Sequence, residues 1–248
     1  GHRDVDAALQ LPELAHDVDA VRVRIASAAC ALHLWPLAES TLDAVPIADR
    51  DPIWYATFGR VLFARNDIEA GMSAFERALA NSVGDTHVGV ASEYAILLRS
   101  VGRSREAAAI LEVLEFDELE DAVQRTLALA HVETGAFPKV DALLSRLAAK
   151  GPMPPWALAL ASDVASRRED LAGAITALRE LVARGAATAT GRLQLAKLVA
   201  ENDPREASSI LDDALTQELM PEERMFAAQL LLKVQQESRA LALAVEAL

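Results

Sequence analysis

Cys30 and His33 stand three residues apart, a spacing at which a thiolate and an imidazole can share a metal ion. Structural zinc takes four ligands, and no second pair accompanies this one. Cys30 is therefore expected to pack as a small hydrophobe, and no metal is expected. The remaining histidines, His2, His16, His87 and His131, make no zinc spacing with one another. Gly84-Asp85-Thr86-His87-Val88-Gly89 brings two glycines close together, but it lacks the lysine and the preceding strand of a phosphate-binding loop. It reads as a plain loop. No G-x-S-x-G turn presents a nucleophilic serine. The acidic groups Glu118/Glu120/Asp121 and Glu222/Glu223 fall where helices are expected to start, and carboxylates there favour the helix dipole. The chemistry-bearing residues thus form no catalytic constellation. The expectation is a chain that is not an enzyme and carries no cofactor.

Charge and composition narrow the classes further. The 248 residues carry a formal charge of −13, against the clustered Lys and Arg that a nucleic-acid binder needs. Such a charge keeps an extended surface from self-association. A single cysteine excludes a disulfide within the chain. No apolar run approaches the ~18 residues of a membrane span, so no membrane insertion is expected. The chain opens Gly1-His2 in place of Met, the pattern left by a cleaved tag, so the missing signal peptide carries no weight. A cytoplasmic location is expected, with the periplasm as the alternative. The Ala- and Leu-rich composition suggests a bacterial source. It also favours helices over strands.

The elements that position these residues follow from one period. Ala38, Gly71, Ala107, Val140, Ala174, Ala207 and Ala240 recur at intervals of 33, 36, 33, 34, 33 and 33 residues. Four residues after each comes Leu42, Phe75, Leu111, Leu144, Leu178, Leu211 or Ala244. A period in this range marks a solenoid of stacked supersecondary units. Each period holds two helical stripes and a turn. In 52–80, Pro52 suits a first helical turn, Tyr55, Phe58, Gly59 and Leu62 make one stripe, Asn66-Asp67 turns the chain, and Ile68, Met72, Phe75 and Leu79 make the second. Further turns are expected at Gly102, Gly135, Arg168-Glu169 and Asn202-Asp203-Pro204. The one long interval places its extra residues in 81–86, which reads as a longer loop.

These residues resemble the tetratricopeptide repeat family, whose unit is a 34-residue helix–turn–helix with small residues at its eighth and twentieth positions. Ala26, Gly59, Ala95, Ala128, Ser162, Leu195 and Ala228 fall at the eighth, and all but Leu195 are small. The best single match is Tyr55, Phe58, Gly59 and Leu62 followed by Gly71, Phe75, Ala78 and Leu79. Val140 departs from the usual alanine, and Leu195 allows the sixth repeat to slip by one. The resemblance implies an all-α, right-handed α-solenoid of about seven degenerate repeats over 19–248, starting near 19, 52, 88, 121, 155, 188 and 221. Residues 1–18 are assigned to the tag scar and a remnant helix, near 4–10, of a preceding repeat.

The resemblance also implies a function. The family binds proteins or peptides in a concave groove lined by first-helix positions two, five, nine, twelve and thirteen. Carried over, those positions hold Arg60, Arg99, Arg125, Arg167, Arg192 and Lys233 with Glu133, Asp163 and Glu222, a net +3 within a chain of net −13. An acidic protein or peptide is therefore the expected ligand, since guanidinium groups fork onto carboxylates. Arg60, Arg99, Arg125, Asp163, Arg167, Arg192 and Trp156, the last at a second position, form the expected peptide-binding groove. Trp35 and His131 fall at core-facing positions. The family's chaperone-clamping subgroup pairs Lys and Asn where this chain has Ala56 with Arg60 and Arg125 with Leu129, so that subgroup is not matched. The expected function is a non-catalytic scaffold. The alternative is a regulatory or targeting domain of a larger enzyme or polysaccharide-export protein. The last helix carries no polar cap, which leaves a homodimer through the uncapped C-terminal helix as a further partner.

Overall fold

Prolines and left-handed turn residues cut the chain into helices. A computed structural model describes residues 18–247, so the helix expected near 4–10 lies outside the described residues. Fourteen α-helices are present among the described residues, with no strand: α1 (Val18–Ala31), α2 (Trp35–Asp43), α3 (Pro52–Ala64), α4 (Ile68–Asn81), α5 (Gly84–Ser100), α6 (Ser104–Leu111), α7 (Asp121–Glu133), α8 (Phe137–Lys150), α9 (Pro155–Arg167), α10 (Leu171–Ala183), α11 (Ala189–Val199), α12 (Pro204–Leu215), α13 (Pro221–Lys233) and α14 (Glu237–Glu246). Pro36, Pro52, Pro138, Pro155, Pro204 and Pro221 all occupy first helical turns, where a missing N–H costs nothing. Asp51 caps α3 by accepting from the Trp54 amide at 2.6 Å, and Asp203 caps α12 by accepting from Arg205 and Glu206.

The tight turn inside five of the helix pairs is a repeated motif. His33, Asn66, Gly102, Glu169 and Gln235 all have φ between 57° and 79°. After each, the next amide reaches back five residues: Leu34 to the Ala29 carbonyl, Asp67 to Leu62, Arg103 to Leu98, Asp170 to Ala165 and Gln236 to Leu231, at 2.8–2.9 Å. This is the Schellman ending of a helix, which satisfies carbonyls the last turn leaves open. The sixth pair departs from it. There Asp203 bonds to Val199, four residues back, and Pro204 with the Asp203 cap makes the turn.

The chain divides into two compact units, one ending at Thr134 and the other beginning at Gly135. In the first, α1–α2, α3–α4 and α5–α6 pack as hairpins, and the first helices also touch in series, α1 on α3, α3 on α5 and α5 on α7. In the second, α9–α10, α11–α12 and α13–α14 are the hairpins, and α11 touches α13. The seven small residues that define the period are all buried. One core cluster in the first unit joins Val23, Ala26, Cys30, Leu42, Trp54 and Val61. The second unit's cluster joins Leu158, Leu178, Leu193, Leu211 and Leu231.

Two helices cross closely at Gly59 and Gly71. A Cβ on Gly59 would lie 2.6 Å from the Phe75 ring and 3.2 Å from the Gly71 carbonyl; one on Gly71 would lie 2.7 Å from Phe63. Phe75 is fully buried and stacks on Tyr94 at 4.9 Å. In the sixth pair Leu195 and the following Ala196 are both buried, at 1% and 0% exposure, so a small side chain does lie one position on. One expectation is corrected. Residues 81–86 are not a long loop: only Ser82 and Val83 separate α4 from α5, and the extra residues lengthen α5 to 17 residues. Gly84 takes φ 56° at the sharp entry, and the loop composition there serves that one bend.

Candidate functional site

In the first unit, α3, α5 and the start of α7 enclose a groove of about 870 Å³. From α3 come Arg60, Phe63 and Ala64. The exposed face of α5 gives Asp85, Val88, Gly89, Ser92, Glu93, Ile96, Leu97 and Ser100. The added first turns of α5 put Asp85, Val88 and Gly89 on this wall. Gly89 has open space where a side chain would stand, with no atom within 4 Å of a Cβ. Glu118 and Glu120, before α7, and Val123 within it form the opposite side, and Trp35 also contributes. Ile96 and Val101 in the lining are 42% and 38% exposed, so large apolar side chains face solvent here.

Arg60 sits at the centre of three first helices. Its Nε holds the Glu93 carboxylate at 2.8 Å, and its Nη1 donates to Ser27 Oγ at 3.1 Å. It therefore ties α3 to α5 and α1. Burial holds the Glu93 carboxyl above its ordinary range, a rise that the neighbouring Arg60 offsets only in part. Cys30 is buried near this pair. Its thiol is pushed up first by burial, with Arg60 lowering and Glu93 raising it, which favours the unreactive protonated form. The ionisable side chains of the lining are Arg60, Asp85, Glu93, Glu118 and Glu120.

The expected groove residues are dispersed. Arg60 lines this groove. Arg99 does not: its Nη1 holds Glu133 at 2.8 Å, and it borders a second, polar hollow with Gly102, Arg103 and Arg105. Arg125 is exposed on α7 and lines neither. In the second unit Asp163 and Arg167 pair with each other at 2.9 Å on α9. Trp156 is half-buried at the second residue of that helix, and the Arg192 guanidinium on α11 donates to the Ala187 carbonyl. Trp35 lines the groove as well as packing against the core of its unit. His131 is buried, with Nε2 3.5 Å from Glu112. His33 is exposed with its ring edge-on to Trp35, while Cys30 is buried; no group of three or more metal-ligating side chains is assembled among the described residues. No helix among them is long and apolar enough to cross a membrane.

Asp85, Glu93, Glu118, Glu120 and Ile96 were not singled out as groove residues from the sequence. Ile96 carries the one legible signal, a large apolar residue at a ninth position.

A scan against protein-family models finds no match, and neither does a search of curated proteins. Solved structures do match. A tetratricopeptide repeat protein from Parabacteroides merdae superposes with a TM-score of 0.65 at 11% identity, covering 92% of this chain and 91% of the other. PilW, a type IV pilus biogenesis factor, gives 0.56 at 12% identity over 93% and 92% of the two chains. MamA of AMB-1 gives 0.52 at 19% identity over 66% and 91%. This chain has the tetratricopeptide-repeat fold. Within the repeat register, Gly89, Ser92, Ile96 and Ser100 hold positions two, five, nine and thirteen of the third repeat, and Arg60, Phe63 and Ala64 hold nine, twelve and thirteen of the second. The groove of the first unit thus includes several of the positions that the tetratricopeptide-repeat resemblance assigns to ligands.

Proposed function

We propose that this chain is a non-catalytic scaffold that holds an extended segment of a partner protein along the groove of its first unit. The observation that carries this reading is an open, apolar-floored groove of about 870 Å³ lying on first-helix positions. Its size falls in the range of ligand sites, ~300–1,000 Å³. Helices joined by short turns and tied by the Ser27–Arg60–Glu93 link present it ready-formed, so little ordering cost falls on the receptor side. The acidic ligand suggested by the arginines is the poorer fit, because Arg60 and Arg99 already hold carboxylates of the next first helix.

The test uses the partner captured from source cells and identified by mass spectrometry. Calorimetric titration then compares wild type with Gly89→Leu, which puts a side chain into the open groove without touching the core. Loss of binding with helicity intact supports the groove. Unchanged affinity refutes it.

A further inference from the structure

We infer that the groove of the first unit selects a partner segment with an apolar anchor flanked by lysine or arginine. The inference rests on the proposed function and adds the chemistry of the ligand. Among the described residues Arg60 is the only cation in the lining, and it is already engaged by Glu93 and Ser27. Asp85, Glu118 and Glu120 are exposed, and among the described residues none of the three has an ion-pair partner. With Arg60 neutralised by Glu93, the free charge around the mouth is that of three carboxylates. The same lining holds Phe63, Ile96, Leu97, Val101 and Val123, apolar surface that rewards burial of an aliphatic or aromatic side chain.

An acidic segment would bring its carboxylates beside Asp85, Glu118 and Glu120, and like charges at close range cost affinity. A cationic one meets them as partners, and the stems of Lys and Arg also cover apolar surface. The formal charge of −13 steers a cationic partner toward the chain from a distance.

The experiment uses three short fluorescein-labelled peptides and anisotropy titration at low and high salt. One has a Leu-Phe centre flanked by lysines, one has the same centre flanked by glutamates, and one has lysines around a serine centre. The lysine-flanked apolar peptide is expected to bind at least about tenfold more tightly than either of the others, and to weaken with salt. Glu118→Gln with Glu120→Gln should weaken it about three- to tenfold and leave the glutamate-flanked peptide unchanged or improved. Both positions are exposed, and circular dichroism checks that the variants keep their helicity.

Tighter binding of the glutamate-flanked peptide, equal binding of the two lysine peptides, or binding by none of the three would overturn the inference. Gly89→Leu separates its failure from that of the groove. If the glutamate peptide binds and Gly89→Leu blocks it, the groove stands and the charge selection falls. If the lysine peptide binds regardless of Gly89→Leu, attraction is to the general negative surface and both readings fall.

Discussion

Replacing Gly59 by alanine should destabilise the first unit, although alanine is the better helix former. The propensity gain is about 1 kcal/mol in a helix interior. Against it, the new Cβ would stand 2.6 Å from the Phe75 ring and 3.2 Å from the Gly71 carbonyl. The ring cannot swing away freely, because it is fully buried, stacks on Tyr94 with a 2° interplanar angle and meets Phe63 edge-on. Backbone must move instead, and overpacking of this kind costs about 1–3 kcal/mol. The balance is a loss of about 1 kcal/mol for Gly59→Ala. For Gly59→Leu, where more atoms must be housed, the loss is about 3 kcal/mol. Gly89→Ala is the control: it also lies in a helix, meets nothing within 4 Å, and should gain about 1 kcal/mol. Urea unfolding followed by circular dichroism reads the global effect. Amide hydrogen exchange on α3 and α4 reads the local one, which matters because repeat units need not unfold together. If Gly59→Ala stabilises as Gly89→Ala does, two helices do not cross there, and the packing described for the best-matched repeat is wrong.

Three further outcomes follow from local features. Gly102→Ala should cost about 1 kcal/mol by denaturant unfolding, because φ 79° is unfavourable for any side chain even though nothing crowds the site. The buried phenol of Tyr94 is pushed up to about 12 from 10.0, chiefly by burial. The folded state therefore holds that proton more tightly, so the associated stability is complete below pH ~10 and is lost as pH rises toward ~12, an effect of roughly 2–3 kcal/mol. Alkaline unfolding monitored by circular dichroism should be delayed in Tyr94→Phe, and an identical curve would refute this. The Arg99–Glu133 pair, with both side chains partly exposed, should show a double-mutant coupling below about 1 kcal/mol that shrinks with salt.

The sequence by itself determined the helices, their pairing and their turns, because those depend on residues close in the chain. Proline at a first turn, a left-handed residue at Asn66 or Gly102, and a small residue every 33 to 36 positions act locally or through one repeated contact. Where that signal was ambiguous, as in 81–86, tertiary packing decided. Glycine and aspartate that would suit a loop were drawn into the start of α5, and Gly84 alone kept the bend.

The site was less legible. A count of arginines at groove positions cannot show which of them are already paired with carboxylates. Ser27, Arg60 and Glu93 are 33 residues apart in turn, and only the stacking of three first helices brings them to 3.1 and 2.8 Å. That contact neutralises Arg60, the one cation of the groove among the described residues, and leaves Asp85, Glu118 and Glu120 beside it. Periodicity fixes which face of a helix is buried. The field on the open face depends on distances between side chains of different repeats, and Coulomb energies follow those distances and not the spacing along the chain.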